Sequence, residues 1–112
     1  MARRYVPEAG DIVWLYFDPQ AGHEQADHRP ALVVSTSAYN SKTSLMLCCP
    51  MTTRLKGYPF EVRIAGVRSG AVLADQVKSL DWVARKARRK GKASSAELTE
   101  VRAKLGALIG IT

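Results

Sequence analysis

The sequence predicts a mainly β domain: a small antiparallel barrel with one C-terminal helix. Three observations predict it. Short β-branched and aromatic runs recur from Asp11 to Ser79. Turn residues interrupt them about every eight to twelve positions, the spacing of small sandwiches and barrels. After Ser94 the apolar residues change to helical spacing. With 112 residues, 46% of them apolar, residues 1–112 make one domain with a modest core.

Asp11 to Phe17 (DIVWLYF) is apolar on both faces, which predicts a central strand stopped by Asp18-Pro19. Ala31 to Ser35 (ALVVS) predicts a second strand. Pro30 stands at its entrance, where a missing N–H is tolerated. Tyr39 to Lys42 has turn chemistry. Ser44 to Cys49 (SLMLCC) predicts a third strand that Pro50 ends. Thr52 to Gly57 is a polar loop, and Pro59 to Ile64 alternates as a short strand. Ser69-Gly70 marks a turn before the strand Ala71 to Ala74, and Asp75 to Ser79 continues extended. Arg85 to Lys92 has six basic residues in eight, as exposed edge strands often do. Ser94 and Glu97 form a capping-box pattern ahead of Leu98, Val101, Leu105, Leu108 and Ile109, and Gly110 is placed as a helix stop.

A net charge of +7 favours a polyanionic partner, nucleic acid or an acidic protein segment. No apolar run reaches the roughly 20 residues of a membrane helix, and no apolar core follows the charged start of a leader peptide. A soluble, cytoplasmic protein without membrane contact is expected. The adjacent Cys48 and Cys49 point to opposite faces of a strand, which predicts two buried thiols rather than a disulfide. No Cys pair stands at zinc spacing and no G-x-S-x-G elbow occurs. Neither a metal nor another cofactor is expected.

Gly22 to Pro30 (GHEQADHRP) gathers Glu24, Asp27, His23, His28 and Arg29. These are parts for cutting RNA without a metal, because the substrate's own 2′-hydroxyl is the nucleophile. The protein then needs a base, an acid and a cation for the charge on phosphorus. Glu24 or Asp75 can be the base, and His28 can give or take a proton near neutral pH. Arg29 can hold a phosphate bidentately, and Thr52 and Thr53 supply hydroxyl donors. Each residue alone also fits an ordinary loop, ion pair or turn.

Four segments, RYVPEAGDIVWLYFDP, GHEQADHRPALVVS, TTRLKGYPFEV and ADQVKS, together resemble the MazF/PemK/Kid toxins of bacterial toxin–antitoxin modules. The resemblance runs from Arg3 to Gly110. It implies an SH3-like, CcdB/MazF-like barrel that forms a homodimer, and a heterohexamer with a MazE-like antitoxin. It implies a sequence-specific, metal-independent endoribonuclease that cuts single-stranded mRNA to 2′,3′-cyclic phosphate and 5′-hydroxyl ends. The antitoxin's acidic, flexible tail would lie across the RNA groove, in keeping with the positive charge of the chain.

The family's catalytic pattern falls on Glu24, Arg29 and Thr53: general base, phosphate clamp and phosphate hydrogen-bond donor. Glu24 and Arg29 are expected on the loop after the first strand. In the Kid branch an Asp of the DQ motif does acid–base work, and Asp75 stands in that place, so two carboxylates compete for the base. A guanidinium rarely gives up a proton, which leaves His28 as the alternative general acid. Thr52, Arg54, Lys56, Lys78 and Arg85 are candidate phosphate contacts. Tyr58, Trp14 or Trp82 could stack bases, although aromatics in small barrels more often belong to the core. The rival readings are a CcdB-like gyrase-binding toxin and a non-catalytic RNA-binding barrel. The former uses a C-terminal Trp-Gly-Ile that Gly110-Ile111-Thr112 lacks, and the latter leaves Glu24, Arg29 and Thr53 unexplained.

Overall fold

The computed structural model describes residues 5–17, 28–66 and 70–111. Strands β1 (Asp11–Tyr16) and β2 (His28–Val33) pair antiparallel, with Leu15 opposite Arg29 and Trp14 opposite Pro30. Strand β3 (Leu45–Thr52) lies on the other side of β2. Its far edge has two partners in turn. β6 (Lys78–Asp81) covers Leu45 to Cys48, and β5 (Ala71–Leu73) covers Met51 and Thr52. β4 (Glu61–Arg63) extends from β5, and β7 (Arg88–Lys92) pairs with β1. The strand path is β4-β5-β3-β2-β1-β7, with β6 branching from β3. Among the described residues no pairing joins β4 to β7, so the barrel is open there.

The three central strands bury both faces, as the unbroken apolar runs predict. Ile12, Leu32, Cys49 and Met51 pack on one face with Val62, Ile64 and Val72. Val13, Leu15, Ala31, Val33, Met46 and Cys48 pack on the other with Leu80 and Trp82. The two cysteines thus enter different clusters, both free and fully buried. Helix α2 (Ser95–Leu108) closes the first face with buried Val101, flanked by Leu98 and Leu105. Its capping box is formed: the Glu97 N–H donates to Ser94 Oγ at 3.1 Å and the Ser94 N–H to Glu97 Oε1 at 2.8 Å. Glu97 Oε2 also accepts the Ala65 N–H at 2.9 Å, which fastens the helix start to the end of β4's loop. Gly110 has φ +84°, the left-handed stop expected after the helix. No helix of the described residues is long and apolar enough to cross a membrane.

Four expectations need correction. Tyr39 to Lys42 is no simple turn but part of helix α1 (Ser37–Thr43). Thr36 caps it by accepting the Tyr39 N–H, and the buried Asn40 ties it inward. Asn40 Nδ2 donates to Pro7 O at 2.9 Å, while its Oδ1 accepts the Ser35 hydroxyl at 2.7 Å and its backbone carbonyl accepts Trp82 Nε1–H at 2.9 Å.

Pro50 does not end β3. The Val34 N–H donates to Leu47 O, so two residues on Leu32 and Cys49 form the next hydrogen-bonded pair. Ala31 and Pro50 are then a non-hydrogen-bonded pair. The Pro50 nitrogen faces the opposite edge, in the gap between β6 and β5, where no ladder bond is lost.

By the same alternation the Pro30 nitrogen faces β3, whose pairing begins only at Ala31. β2 therefore starts at His28, and Arg29 sits on a strand rather than a loop. Finally, Asp75 lies in a 3-10 turn, Ala74–Gln76, and not in an extended run.

Candidate functional site

A cleft of about 510 Å³ opens at the end of the sheet where β1, β2 and β3 lie side by side. Trp14, Arg29, Pro30, Met51, Thr52, Thr53, Arg54, Gly70 and Lys90 line it. Pairing explains the convergence. Arg29 is in register with Leu15 on β1, and Thr52 with Ala71 on β5. The strand ends carrying Arg29 and Thr52 thus reach the same end of the sheet from opposite chain directions.

Local bonds fix the donors. The Arg54 N–H donates to Thr52 Oγ1 at 3.0 Å, a side-chain turn that carries Thr53 past the end of β3. Gly70 gives that turn room: a Cβ there would stand 3.2 Å from Thr52 O. The Arg29 guanidinium lies 5.1 Å from the centre of the Phe17 ring, and the Lys90 ammonium 4.4 Å from that of Trp14. Both are cation–π contacts that hold a charge without neutralising it. Three cations and two hydroxyls therefore face one half-open space, and among the described residues none that lines it is a carboxylate. Such a surface binds a polyanion and stabilises negative charge on it.

The expected site residues divide. Arg29, Thr52, Thr53 and Arg54 meet in the cleft. Glu24, with His23 and Asp27, lies outside the described residues. Asp75 is exposed in its turn beside β3 and α2, off the cleft lining. His28 is half-buried, its ring stacked with Trp14 (5.0 Å) and Tyr16 (4.4 Å).

The remaining basic candidates lie away from it. Arg85 donates to the carbonyls of Tyr16 and Phe17, a bond that fastens the β6–β7 turn to β1. Lys78 is exposed at the start of β6, opposite Cys48. Burial pushes the Cys48 thiol up to about 12, against the pull of Arg85 and Lys78. Lys56 is exposed, its ammonium 5.8 Å from the centre of the exposed Tyr58 ring. Its N–H and that of Gly57 donate to the Glu61 carboxylate, which shapes the β3–β4 loop. Trp82 is a core residue, whereas Trp14 lines the cleft.

Sequence reasoning missed Lys90 as a cleft residue. Six cations crowd its segment, and alternation alone does not single one out. The signal that finds it is the pairing of β7 with β1.

Comparison with known proteins identifies the family. Residues 8–109 match the family model described as PemK-like, MazF-like toxin of type II toxin–antitoxin system. The endoribonuclease toxin MazF of Escherichia coli K12 is 54% identical over 111 residues, covering 98% of this chain and all of that one. The endoribonuclease toxin ChpB of the same strain is 36% identical over 116 residues, with 97% and 99% covered. The crystal structure of MazF from Deinococcus radiodurans superposes with a TM-score of 0.86 at 56% identity, covering 96% of this chain and 99% of that one. A MazE–MazF crystal structure from the same organism gives 0.88 at 53%, with 96% and 100% covered. The sheet order, the Arg29–Thr53 cleft and these full-length likenesses have one reading: the chain belongs to the PemK-like, MazF-like toxin family of type II toxin–antitoxin systems.

Proposed function

We propose that this chain is the toxin of a type II toxin–antitoxin module, a sequence-specific endoribonuclease that cuts single-stranded mRNA without a metal and so halts translation and growth. The observation that carries the reading is the cleft itself, which Arg29, Thr53, Arg54 and Lys90 all line. The relatives named above as endoribonucleases match over their full lengths. A gyrase-binding toxin has no need of a cationic cleft lined by hydroxyls, and a passive RNA-binding barrel does not account for full-length relatives named as endoribonucleases.

In the proposed reaction the RNA 2′-oxygen attacks the adjacent phosphorus while Glu24 takes its proton. In sequence Glu24 stands five residues before Arg29, in the segment between β1 and β2. Arg29 holds two non-bridging oxygens and stays charged as the pentacoordinate phosphorane forms. Thr53 Oγ donates a further hydrogen bond to them. The P–O5′ bond then breaks, giving a 2′,3′-cyclic phosphate, and the leaving 5′-oxygen takes a proton from His28 or from water. Thr52 shapes the turn, and Arg54 binds a flanking phosphate. Lys56, Lys78 and Arg85 give the RNA outer electrostatic contacts.

The protein works in the cytoplasm as a homodimer. A MazE-like antitoxin silences it by laying an acidic segment in the same cationic cleft, within a heterohexamer. Primer extension on single-stranded RNA treated with the purified protein in EDTA tests the reading. Discrete stops support it, and only full-length product overturns it.

A further inference from the structure

Strand β7 slips by one residue against β1. Arg88 and Arg89 lie opposite Trp14 and Val13, but Gly91, not Lys90, lies opposite Ile12. Lys90 is the extra residue of a β-bulge. Without the bulge Lys90 would be the partner of Ile12, which is fully buried in the core. A lysine there would have to bring its charge toward an apolar cluster, at high cost. The bulge puts a residue without a side chain at that position and releases Lys90, whose ammonium comes to rest 4.4 Å from the centre of the Trp14 ring.

Two neighbouring cations of the strand, Arg89 and Lys92, have carboxylate partners, and Arg88 is exposed and off the cleft lining. Arg89 lies 3.5 Å from Asp11, and Lys92 3.5 Å from Glu8 and 3.8 Å from Asp11. Among the described residues Lys90 has none within 4.0 Å. It is half-buried, it lines the cleft beside Arg29, Thr53 and Arg54, and its charge is kept in place by an aromatic face. Bulges often re-aim a side chain beside an active site.

We propose that Lys90 is a phosphate-binding residue of the cleft, delivered by the bulge and seated on Trp14, which takes a backbone phosphate of single-stranded RNA next to the one held by Arg29. The inference rests on the ribonuclease reading of the same cleft. Lys90 binds and does not exchange a proton with the reacting atoms. Its loss should therefore raise KM and leave kcat within a few-fold.

The test is binding of a single-stranded oligoribonucleotide pool, 2′-O-methylated at every position so that it cannot be cut, over a series of salt concentrations. Each phosphate contact on a single strand adds about 0.7 to the slope of log affinity against log salt. Lys90→Met should weaken binding several-fold and flatten the slope by about 0.7. Lys90→Arg should restore both. Arg63→Gln, an equal loss of charge on β4 outside the cleft lining, should leave the slope unchanged.

A Lys90→Met protein that is folded, binds RNA and keeps the wild-type slope overturns the inference while sparing the ribonuclease reading. So does a loss confined to an acidic peptide used in place of RNA. Wild-type protein that does not bind the pool at all overturns both.

Discussion

The Arg54 N–H donates to Thr52 Oγ1 at 3.0 Å, and this one bond sets the turn on which Thr53 enters the cleft. The two adjacent threonines therefore have separable roles. Thr52→Val removes the turn's acceptor and lets Thr53 and Arg54 drift, so KM and kcat should change together. Thr53→Val removes only a donor to the phosphate and should lower kcat by roughly ten- to a hundredfold with less effect on KM. Steady-state kinetics on a short single-stranded RNA distinguishes them. Identical profiles would mean that the turn, and not the Thr53 hydroxyl, is what matters.

Arg29 is paired with Leu15 through a strand ladder that its side chain does not support. Arg29→Ala should fold normally and lose about 10²–10³ in kcat, the usual cost of one charge-stabilising donor. Arg29→Lys should recover little, since a point charge does not replace a bidentate fork. A fall of less than a few-fold in the alanine variant would take Arg29 out of the mechanism.

Glu24→Ala and Asp75→Ala, measured side by side, assign the base. Loss of a positioned acid–base group costs roughly 10²–10⁴ in rate. That loss is expected for Glu24, five residues before the clamp in sequence. Asp75 is exposed off the cleft lining, and its removal should stay within a few-fold. The reverse order would transfer the base role to Asp75. His28→Gln belongs in the same series: a rate loss that is recovered on a substrate with a 5′-bridging sulfur, a leaving group that needs no proton, assigns it the proton for the leaving oxygen.

Alkali should weaken the fold through the two cysteines. Burial pushes both thiols up to about 12. In the unfolded chain a thiol loses its proton near pH ~8.5. Between those values the unfolded state has given up protons that the folded state still holds, so stability falls as pH rises. Below about pH 8 both states are protonated and the effect is absent. Urea midpoints should therefore decline from neutral pH into this alkaline window, and Cys48→Ala/Cys49→Ala should decline less. Equal slopes would exclude the thiols as the cause. Thiol reagents should react at neutral pH only as fast as the protein unfolds.

The parts of this molecule legible in the sequence are those decided by neighbours along the chain. The β1 run, the opposed cysteines, the Ser94–Glu97 box and the Gly110 stop all depend on a few adjacent residues, and each stands where local chemistry puts it. What was not legible depends on partners far away. Helix α1 owes its place to Asn40 bonding Pro7 and accepting from Trp82. Pro50 is harmless only because β3 changes partners there, and the proline itself cannot announce which edge it faces. Lys90 was hidden among cations until the slip of β7 against Ile12 separated it. In the cleft, the resemblance to known toxins and the residue chemistry both selected Arg29 and Thr53. Arg85 was selected by charge alone, whereas its guanidinium donates to the Tyr16 and Phe17 carbonyls.

The most direct test of the central claim is the chemistry of the RNA ends left by the purified protein in EDTA. An internal 2′-hydroxyl attack, with Glu24 as base and Arg29 as clamp, leaves a 2′,3′-cyclic phosphate on one fragment and a 5′-hydroxyl on the other. The latter can be labelled by polynucleotide kinase without prior phosphatase. Intact RNA, or fragments with 5′-phosphate and 3′-hydroxyl ends, would contradict the account.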